Sequence, residues 1–152
     1  MSGDWDVHLA RAADFARMAH EGQVDKAGRP YIEHPARVAG RLLMGGYGAP
    51  CVVTAWLHDV VEDCDVSLEG LAVAGFPAEV VEAVDALTRR GGETYRDAVR
   101  RAAANPIARV VKIADNLDNS DEGRLALLPD DTARRLRAKY RKAMGALLGA
   151  TA

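Results

Sequence analysis

The stretch Trp56-Leu57-His58-Asp59-Val60-Val61-Glu62-Asp63 is the most informative part of this sequence, because it sets one imidazole and three carboxylates among apolar neighbours. Burying unpaired carboxylates costs several kcal/mol, so a bound cation is the compensation that we expect. The alternative is a charged helix end with His58 packed in the core. That alternative carries a cost, because acidic residues at a helix C-terminus oppose the helix dipole.

The spacing within the stretch predicts how its side chains are arranged. Pro50 marks the start of a helix that continues to about Glu62, and apolar residues nearly all round it predict a central, buried helix. Residues four apart lie on one helix face, so His58 and Glu62 are expected to be neighbours on the same face, one turn apart. Asp59 and Asp63 are expected to be neighbours for the same reason. The pattern suits a divalent ion held by the His-Asp doublet, with the Glu-Asp pair facing a bound water or substrate.

The rest of the chain also has helical periodicity, and no alternating strand pattern is present. Apolar residues at helical spacing predict helices over about 5–20, 35–45, 50–62, 67–75, 77–87, 95–105, 107–117 and 131–148. A glycine- and proline-containing loop, 22–30, follows the first helix. The basic residues of the last helix are expected on a solvated face. The sequence therefore predicts an all-α bundle of seven to eight helices.

Two further residues, His34 and Asp115, are candidates to complete a metal site. His34 precedes a helix start at Pro35, and Asp115 lies in the apolar segment 107–117. Two His and two Asp form a mixed nitrogen and oxygen set, which suits Mn²⁺, Fe²⁺ or Zn²⁺ better than Ca²⁺ or Mg²⁺. An ion of this kind lowers the pKa of a bound water, and a nearby carboxylate can orient that water or move its proton.

The composition argues against several kinds of partner. The formal net charge is −2, aromatic residues make up 5% of the chain, and no basic tract is present. The sequence therefore lacks the concentrated positive charge that is typical of nucleic-acid-binding proteins. The longest apolar runs are shorter than a membrane span, and the N-terminus lacks the pattern of a signal peptide. Two cysteines do not make a disulfide framework. We therefore predict a cytoplasmic protein that binds neither nucleic acid nor membrane.

Three blocks of the sequence resemble the HD-domain metal-dependent phosphohydrolases. The blocks are Pro30-Tyr31-Ile32-Glu33-His34-Pro35, Leu57-His58-Asp59-Val60-Val61-Glu62-Asp63 and Val111-Lys112-Ile113-Ala114-Asp115. Their order and spacing are similar to those of the (p)ppGpp hydrolase domain of RelA/SpoT proteins and of the small MESH1-like hydrolases. The resemblance covers most of the chain. It implies one compact HD-domain bundle over residues 1–152, without a synthetase domain.

The resemblance also implies roles for the matching residues. The implied ligands of one Mn²⁺, with Fe²⁺ or Zn²⁺ as alternatives, are His34, His58, Asp59 and Asp115. Glu62 and Asp63 would act in catalysis. The implied substrate-binding residues are Lys26, Tyr31, Lys112, Asn119, Arg89 and Arg90. The implied reaction is hydrolysis of the 3′-pyrophosphate of (p)ppGpp to GDP or GTP and pyrophosphate by a metal-activated water.

Asp25 and Asp118 depart from the family pattern. Asp25 stands where an Arg is usual before Lys26, and Asp118 stands where an aromatic residue is common. Both would put negative charge beside an anionic substrate, which weakens binding. Cations that could compensate are Arg29, Arg89, Arg90, Arg96 and Lys112.

These departures leave two other functions open. The first is an HD phosphohydrolase for another nucleotide, such as the 2′- or 3′-phosphate of a nicotinamide or adenine nucleotide, or a nucleoside monophosphate. The second is a non-catalytic, metal-containing module for ligand binding or assembly. A homodimer also stays open, because the sequence does not determine the oligomeric state.

Overall fold

All regular secondary structure in the computed structural model, which describes residues 2–149, is α-helical. The helices are α1 (Ser2–Ala19), α2 (Glu33–Met44), α3 (Ala49–Leu57), α4 (Val60–Asp63), α5 (Leu68–Val73), α6 (Ala78–Leu87), α7 (Tyr95–Ala103), α8 (Pro106–Asn119), α9 (Glu122–Leu125) and α10 (Asp130–Gly149). Eight of them have six or more residues, while α4 and α9 are single turns of four residues. The predicted all-α bundle is therefore confirmed. None of the helices in this described part of the chain is both long and apolar enough to cross a membrane.

Helix α3 lies at the centre of the bundle and packs against α1, α2, α6 and α8. The side chains of Val53, Ala55 and Leu57 in α3 have no exposed surface. The predicted burial of this helix is confirmed. Its contacts with α2 and α8 bring together the segments that carry His34 and Asp115.

The start of α8 is fixed by a local signal in the sequence. The side chain of Asn105 accepts hydrogen bonds from the backbone N–H groups of Ile107 and Ala108, and Pro106 occupies the first turn. Such a cap satisfies donors that the first turn of a helix leaves unpaired. The cap therefore sets the position from which α8 directs Asp115 into the bundle.

The predicted helix over 50–62 is wrong in one respect, because it is interrupted at His58 and Asp59. Helix α3 ends before this doublet and α4 begins after it. The Nδ1 atom of His58 donates a hydrogen bond to the carbonyl oxygen of Ala55 at 2.6 Å. In a continuous helix that oxygen would accept the backbone N–H of Asp59. The interruption therefore has a physical cause in the side chain of His58.

Truncating Leu57 tests how strongly the bundle depends on α3. Leu57 has no exposed surface, so Leu57→Ala should lower the free energy of unfolding by about 2–5 kcal/mol. The control is Leu43→Ala in α2, where the side chain is 65% exposed and the expected change is within about 0.5 kcal/mol. Urea unfolding of both variants gives the comparison. Equal losses would contradict a central position for α3.

Candidate metal centre

Three buried side chains from three parts of the fold converge on one point. His34 lies in the first turn of α2, His58 follows α3, and Asp115 lies in α8. The Nε2 atom of His34 is 2.8 Å from Oδ1 of Asp115, and Nε2 of His58 is 3.5 Å from the same oxygen. One ligand atom from each residue lies within 4.8 Å of the other two. This separation allows all three to bind one ion.

Asp59 approaches the same point from the break between α3 and α4. Its Oδ2 atom lies 3.1 Å from Nε2 of His58 and 3.8 Å from Nε2 of His34. The hydroxyl of Tyr31 donates a hydrogen bond to the same oxygen at 2.6 Å. The structure therefore brings all four sequence-predicted ligands together.

The two imidazoles have the chemistry that a divalent cation requires. Because Nδ1 of His58 donates to Ala55, its Nε2 atom is left to bind a cation. That Nε2 atom is buried, and in the described part of the chain it forms no hydrogen bond of normal geometry. In His34, Nδ1 bonds to the carboxylate of Asp118 at 2.6 Å, which likewise directs Nε2 toward the site. These donors fit a first-row divalent ion such as Mn²⁺, Fe²⁺ or Zn²⁺.

The neighbouring carboxylates also raise the pKa of both imidazoles. Burial opposes a charged His34, but hydrogen bonds with Asp115 and Asp118 raise its pKa above the ordinary 6.5. Burial of His58 is outweighed in the same way by the charge of Asp59 and the contact with Asp115, and its pKa is raised well above 6.5. A metal ion and protons therefore compete for the same nitrogen atoms.

Asp118 lies behind His34, which corrects the expectation that it faces the substrate. Its side chain is 1% exposed. Besides the bond to His34, it accepts hydrogen bonds from Nε of Arg37 at 2.8 Å and from Nη1 of Arg124 at 2.9 Å. Burial would raise the pKa of Asp118, but the bonds from His34 and Arg37 lower it to about 2. The negative charge of Asp118 is therefore paired within the protein.

Asp25 is also engaged with protein partners. Its Oδ1 atom accepts the backbone N–H groups of Ala27 at 2.9 Å and Arg29 at 3.0 Å, which shapes the loop 22–30. Its Oδ2 atom lies 3.4 Å from Nη2 of Arg124. The charge expected to oppose an anionic substrate is thus balanced by a neighbouring guanidinium.

Glu62 and Asp63 are partly exposed carboxylates next to Asp59. One oxygen from each of the three residues lies within 4.8 Å of the other two. The backbone N–H of Arg89 donates to Oε1 of Glu62 at 2.7 Å, which ties α4 to the loop after α6. Burial and the charges of Asp59 and Glu62 raise the pKa of Asp63 to about 6. Asp63 can therefore exchange a proton near neutral pH.

A cleft of about 180 Å³ opens onto these groups. Its lining residues include His58, Asp59, Glu62, Asp63, Arg89, Tyr95, Lys112, Asp115, Lys139 and Tyr140. A second pocket of about 290 Å³ includes the apolar residues Leu125, Leu128 and Leu136. The two spaces share Tyr31, Asn119 and Tyr140. A polar cavity with an apolar neighbour suits a ligand that has both charged and ring-shaped parts.

The predicted substrate-binding residues do not all lie at this cleft. Those that line the cleft are Tyr31, Arg89, Lys112 and Asn119, and Lys26 lines the second pocket. Lys112 and Asn119 each donate a hydrogen bond to Asp115 at 3.0 Å. Arg90 lines neither space. Its side chain is 59% exposed and lies 3.3 Å from Asp85.

Three polar residues that the sequence did not single out for function also line the cleft, namely Tyr95, Lys139 and Tyr140. The expectation that the basic residues of the last helix are solvated is wrong for Lys139. The sequence contains one indication of this position: Lys139 is next to Tyr140, which belongs to the apolar face of that helix. Arg96, a candidate from the sequence, lines a separate groove between α7 and α10.

Comparison with known proteins gives matches over most of the chain. A family model for the HD domain matches residues 12–119. The guanosine-3′,5′-bis(diphosphate) 3′-pyrophosphohydrolase MESH1 of Mus musculus is 39% identical over 127 residues, which are 77% of this chain and 70% of that protein. The solved structure of a metazoan ortholog of SpoT, described as hydrolysing ppGpp, has a TM-score of 0.78 at 24% identity. The matched region covers 94% of this chain and 86% of the chain in that structure, and the match establishes the fold.

Bacterial relatives match as well, over a small part of their length. The probable GTP pyrophosphokinase of Mycobacterium leprae is 37% identical over 138 residues, or 85% of this chain. The guanosine-3′,5′-bis(diphosphate) 3′-pyrophosphohydrolase of Aquifex aeolicus is 34% identical over 119 residues, or 73% of this chain. The chain spans 17% of the length of each of these two relatives.

The position of Asp118 predicts an effect on metal affinity. Asp118→Asn keeps the shape of the side chain but removes the charge that orients His34, so the affinity for Mn²⁺ should fall about 10- to 100-fold. Asp6→Asn in α1, an exposed position, is the matched control and should bind like the wild type. Calorimetric titration with Mn²⁺ measures both variants. Wild-type affinity in a folded Asp118→Asn protein would contradict the role of Asp118.

The raised pKa values of His34 and His58 predict that metal binding releases protons. Both imidazoles are largely protonated below their raised pKa, so affinity for Mn²⁺ should weaken as the pH falls through that range. Above the range the protons are already lost, and affinity should level off. Titrations in two buffers of different ionisation enthalpy count the released protons. No release near neutral pH would rule out binding through these imidazoles.

Proposed function

The chain belongs to the HD-domain family, and we propose that it is a divalent-metal-dependent phosphohydrolase that acts on the 3′-pyrophosphate of a guanosine 3′,5′-bis(diphosphate). In this proposal residues 1–152 form one HD-type domain, and the products are pyrophosphate and GDP, or pyrophosphate and GTP where the substrate carries a 5′-triphosphate. One observation carries the proposal: His34, His58 and Asp115 converge beneath a cleft that three further carboxylates border, those of Asp59, Glu62 and Asp63. The name of the mouse relative supports the choice of nucleotide.

The proposed cofactor is one Mn²⁺, with Fe²⁺ and Zn²⁺ as alternatives. The residues that would hold it are His34, His58, Asp59 and Asp115. When bound, such an ion lowers the pKa of a water molecule and polarises a phosphoryl oxygen. Hydrogen bonds from Tyr31 to Asp59 and from Asn119 to Asp115 hold the two carboxylates in place.

Glu62 and Asp63 supply the acid–base chemistry in this proposal. Asp63 takes the proton of the attacking water, because burial and adjacent negative charge keep its pKa near neutrality. A cation beside Asp59 offsets part of that negative charge, so the working pKa lies below that of the metal-free protein. Glu62, held by the N–H of Arg89, orients the same water.

The two residues that favoured another nucleotide no longer do so. Asp118 lies behind His34, and Asp25 is bound to its own loop and to Arg124. Neither presents an unpaired charge to a phosphate group. A purely structural metal site does not require Glu62 and Asp63 at the border of the cleft, which makes a non-catalytic module the weaker hypothesis.

Hydrolysis of ppGpp tests the proposal directly. With Mn²⁺, the wild-type protein should release pyrophosphate and form GDP, and Asp59→Ala should reduce release to background because it removes a proposed ligand. Asp65→Ala, an exposed residue just beyond α4, is the control and should keep wild-type activity. Separate assays for phosphate and pyrophosphate identify the bond that is cut.

Two outcomes of this assay would contradict the proposal. Pyrophosphate release that survives Asp59→Ala would exclude chemistry at this centre. If the wild-type protein hydrolyses a nicotinamide or adenine nucleotide but not ppGpp, the proposed substrate is wrong and the other nucleotide class replaces it.

A further inference from the structure

A group of positive charges surrounds the ring of Tyr95 at one side of the cleft. The Nζ atom of Lys139 lies 4.4 Å from the ring centroid, and Nζ of Lys112 lies 5.6 Å from it. The guanidinium carbon of Arg89 lies at 6.0 Å. The residues come from α7, α8, α10 and the loop after α6, so tertiary packing assembles the group. All four line the same cleft as the candidate metal ligands.

Among the residues that the structure describes, one of these three cations is paired with a carboxylate and two are not. Lys112 pairs with Asp115 at 3.0 Å. Within residues 2–149, no carboxylate forms an ion pair with the side chain of Lys139 or Arg89, and the guanidinium of Arg89 donates only to the carbonyl oxygen of Glu93. Burial lowers the pKa of Lys139, and the charges of Lys112 and other nearby cations lower it further. A site that gathers unbalanced cations attracts an anion.

The hydroxyl oxygen of Tyr95 is buried and forms no hydrogen bond with any of the described residues, 2–149. A buried polar group without a partner is unfavourable, and an anionic oxygen would satisfy this donor. The ammonium of Lys139 lies in addition 5.5 Å from the ring centroid of Tyr140, so two aromatic rings position it.

We propose that Arg89, Tyr95, Lys112 and Lys139 form a subsite for a second phosphate group of the substrate. The inference rests on the proposed function, in which the 3′-pyrophosphate occupies the metal centre. The remaining anionic group of such a nucleotide is the 5′-diphosphate, and this subsite binds it. Lys139 is then a specificity-determining residue, because it favours nucleotides that carry phosphates at both ends.

The test compares two nucleotides on the Mn²⁺-loaded protein by calorimetric titration. GDP carries only the 5′-diphosphate, and guanosine 3′-monophosphate carries only a 3′-group. Lys139→Ala should weaken GDP binding about tenfold or more, the effect of one charged hydrogen bond, and should change binding of the 3′-nucleotide less than about twofold. Lys139→Arg should restore GDP binding. Lys142→Ala, an exposed lysine of α10 outside the cleft, should bind both nucleotides like the wild type.

Steady-state kinetics with ppGpp give a second readout. Lys139→Ala should raise KM by a similar factor and change kcat little, and thermal melts should show that the variant is folded. If Lys139→Ala melts early, Lys139→Gln replaces it, because it keeps most of the side-chain volume.

Unchanged GDP binding in Lys139→Ala or Lys139→Gln would overturn the subsite, as would an equal loss for both nucleotides. Since the titrations need no turnover, they decide the subsite even if the wild-type protein fails to hydrolyse ppGpp. That failure would count against the proposed function alone.

Discussion

The charge balance around Asp115 is the constraint on which the rest of the structure depends. Helix α8 places this carboxylate inside the protein, where an unpaired charge would cost several kcal/mol. His34, His58 and Lys112 surround it at 2.8, 3.5 and 3.0 Å. Those partners come from α2, from the end of α3 and from α8 itself. The packing of these helices therefore brings positive or proton-donating groups to the buried charge of Asp115, and the same packing forms the candidate metal centre.

A second layer of charges extends this balance to the surface. Asp118 bonds to His34 on one side and to Arg124 on the other. Arg124 also reaches Asp25 in the loop 22–30, which borders the second pocket. The guanidinium of Arg124 thus couples the orientation of His34 to the position of the loop 22–30. The two acidic residues that looked unfavourable in the sequence belong to this layer.

The sequence predicted those features that depend on local pattern. Apolar periodicity and caps gave the helices, and the order of the motifs brought His34, His58 and Asp115 to one site. The break after α3 was not predictable, because it comes from a side-chain bond between His58 and Ala55. The partner of Asp25 was equally hidden, since Arg124 lies 99 positions along the chain, in a one-turn helix without periodicity.

The most direct test of a single metal centre is a crystal of this protein grown with Mn²⁺ and measured at the manganese absorption edge. We expect one anomalous peak, bounded by four side chains: His34, His58, Asp59 and Asp115. A peak held instead by Asp59, Glu62 and Asp63, the other acidic group of the cleft, would contradict this expectation. Manganese-loaded crystals with no peak beside His34 and His58 would contradict it as well.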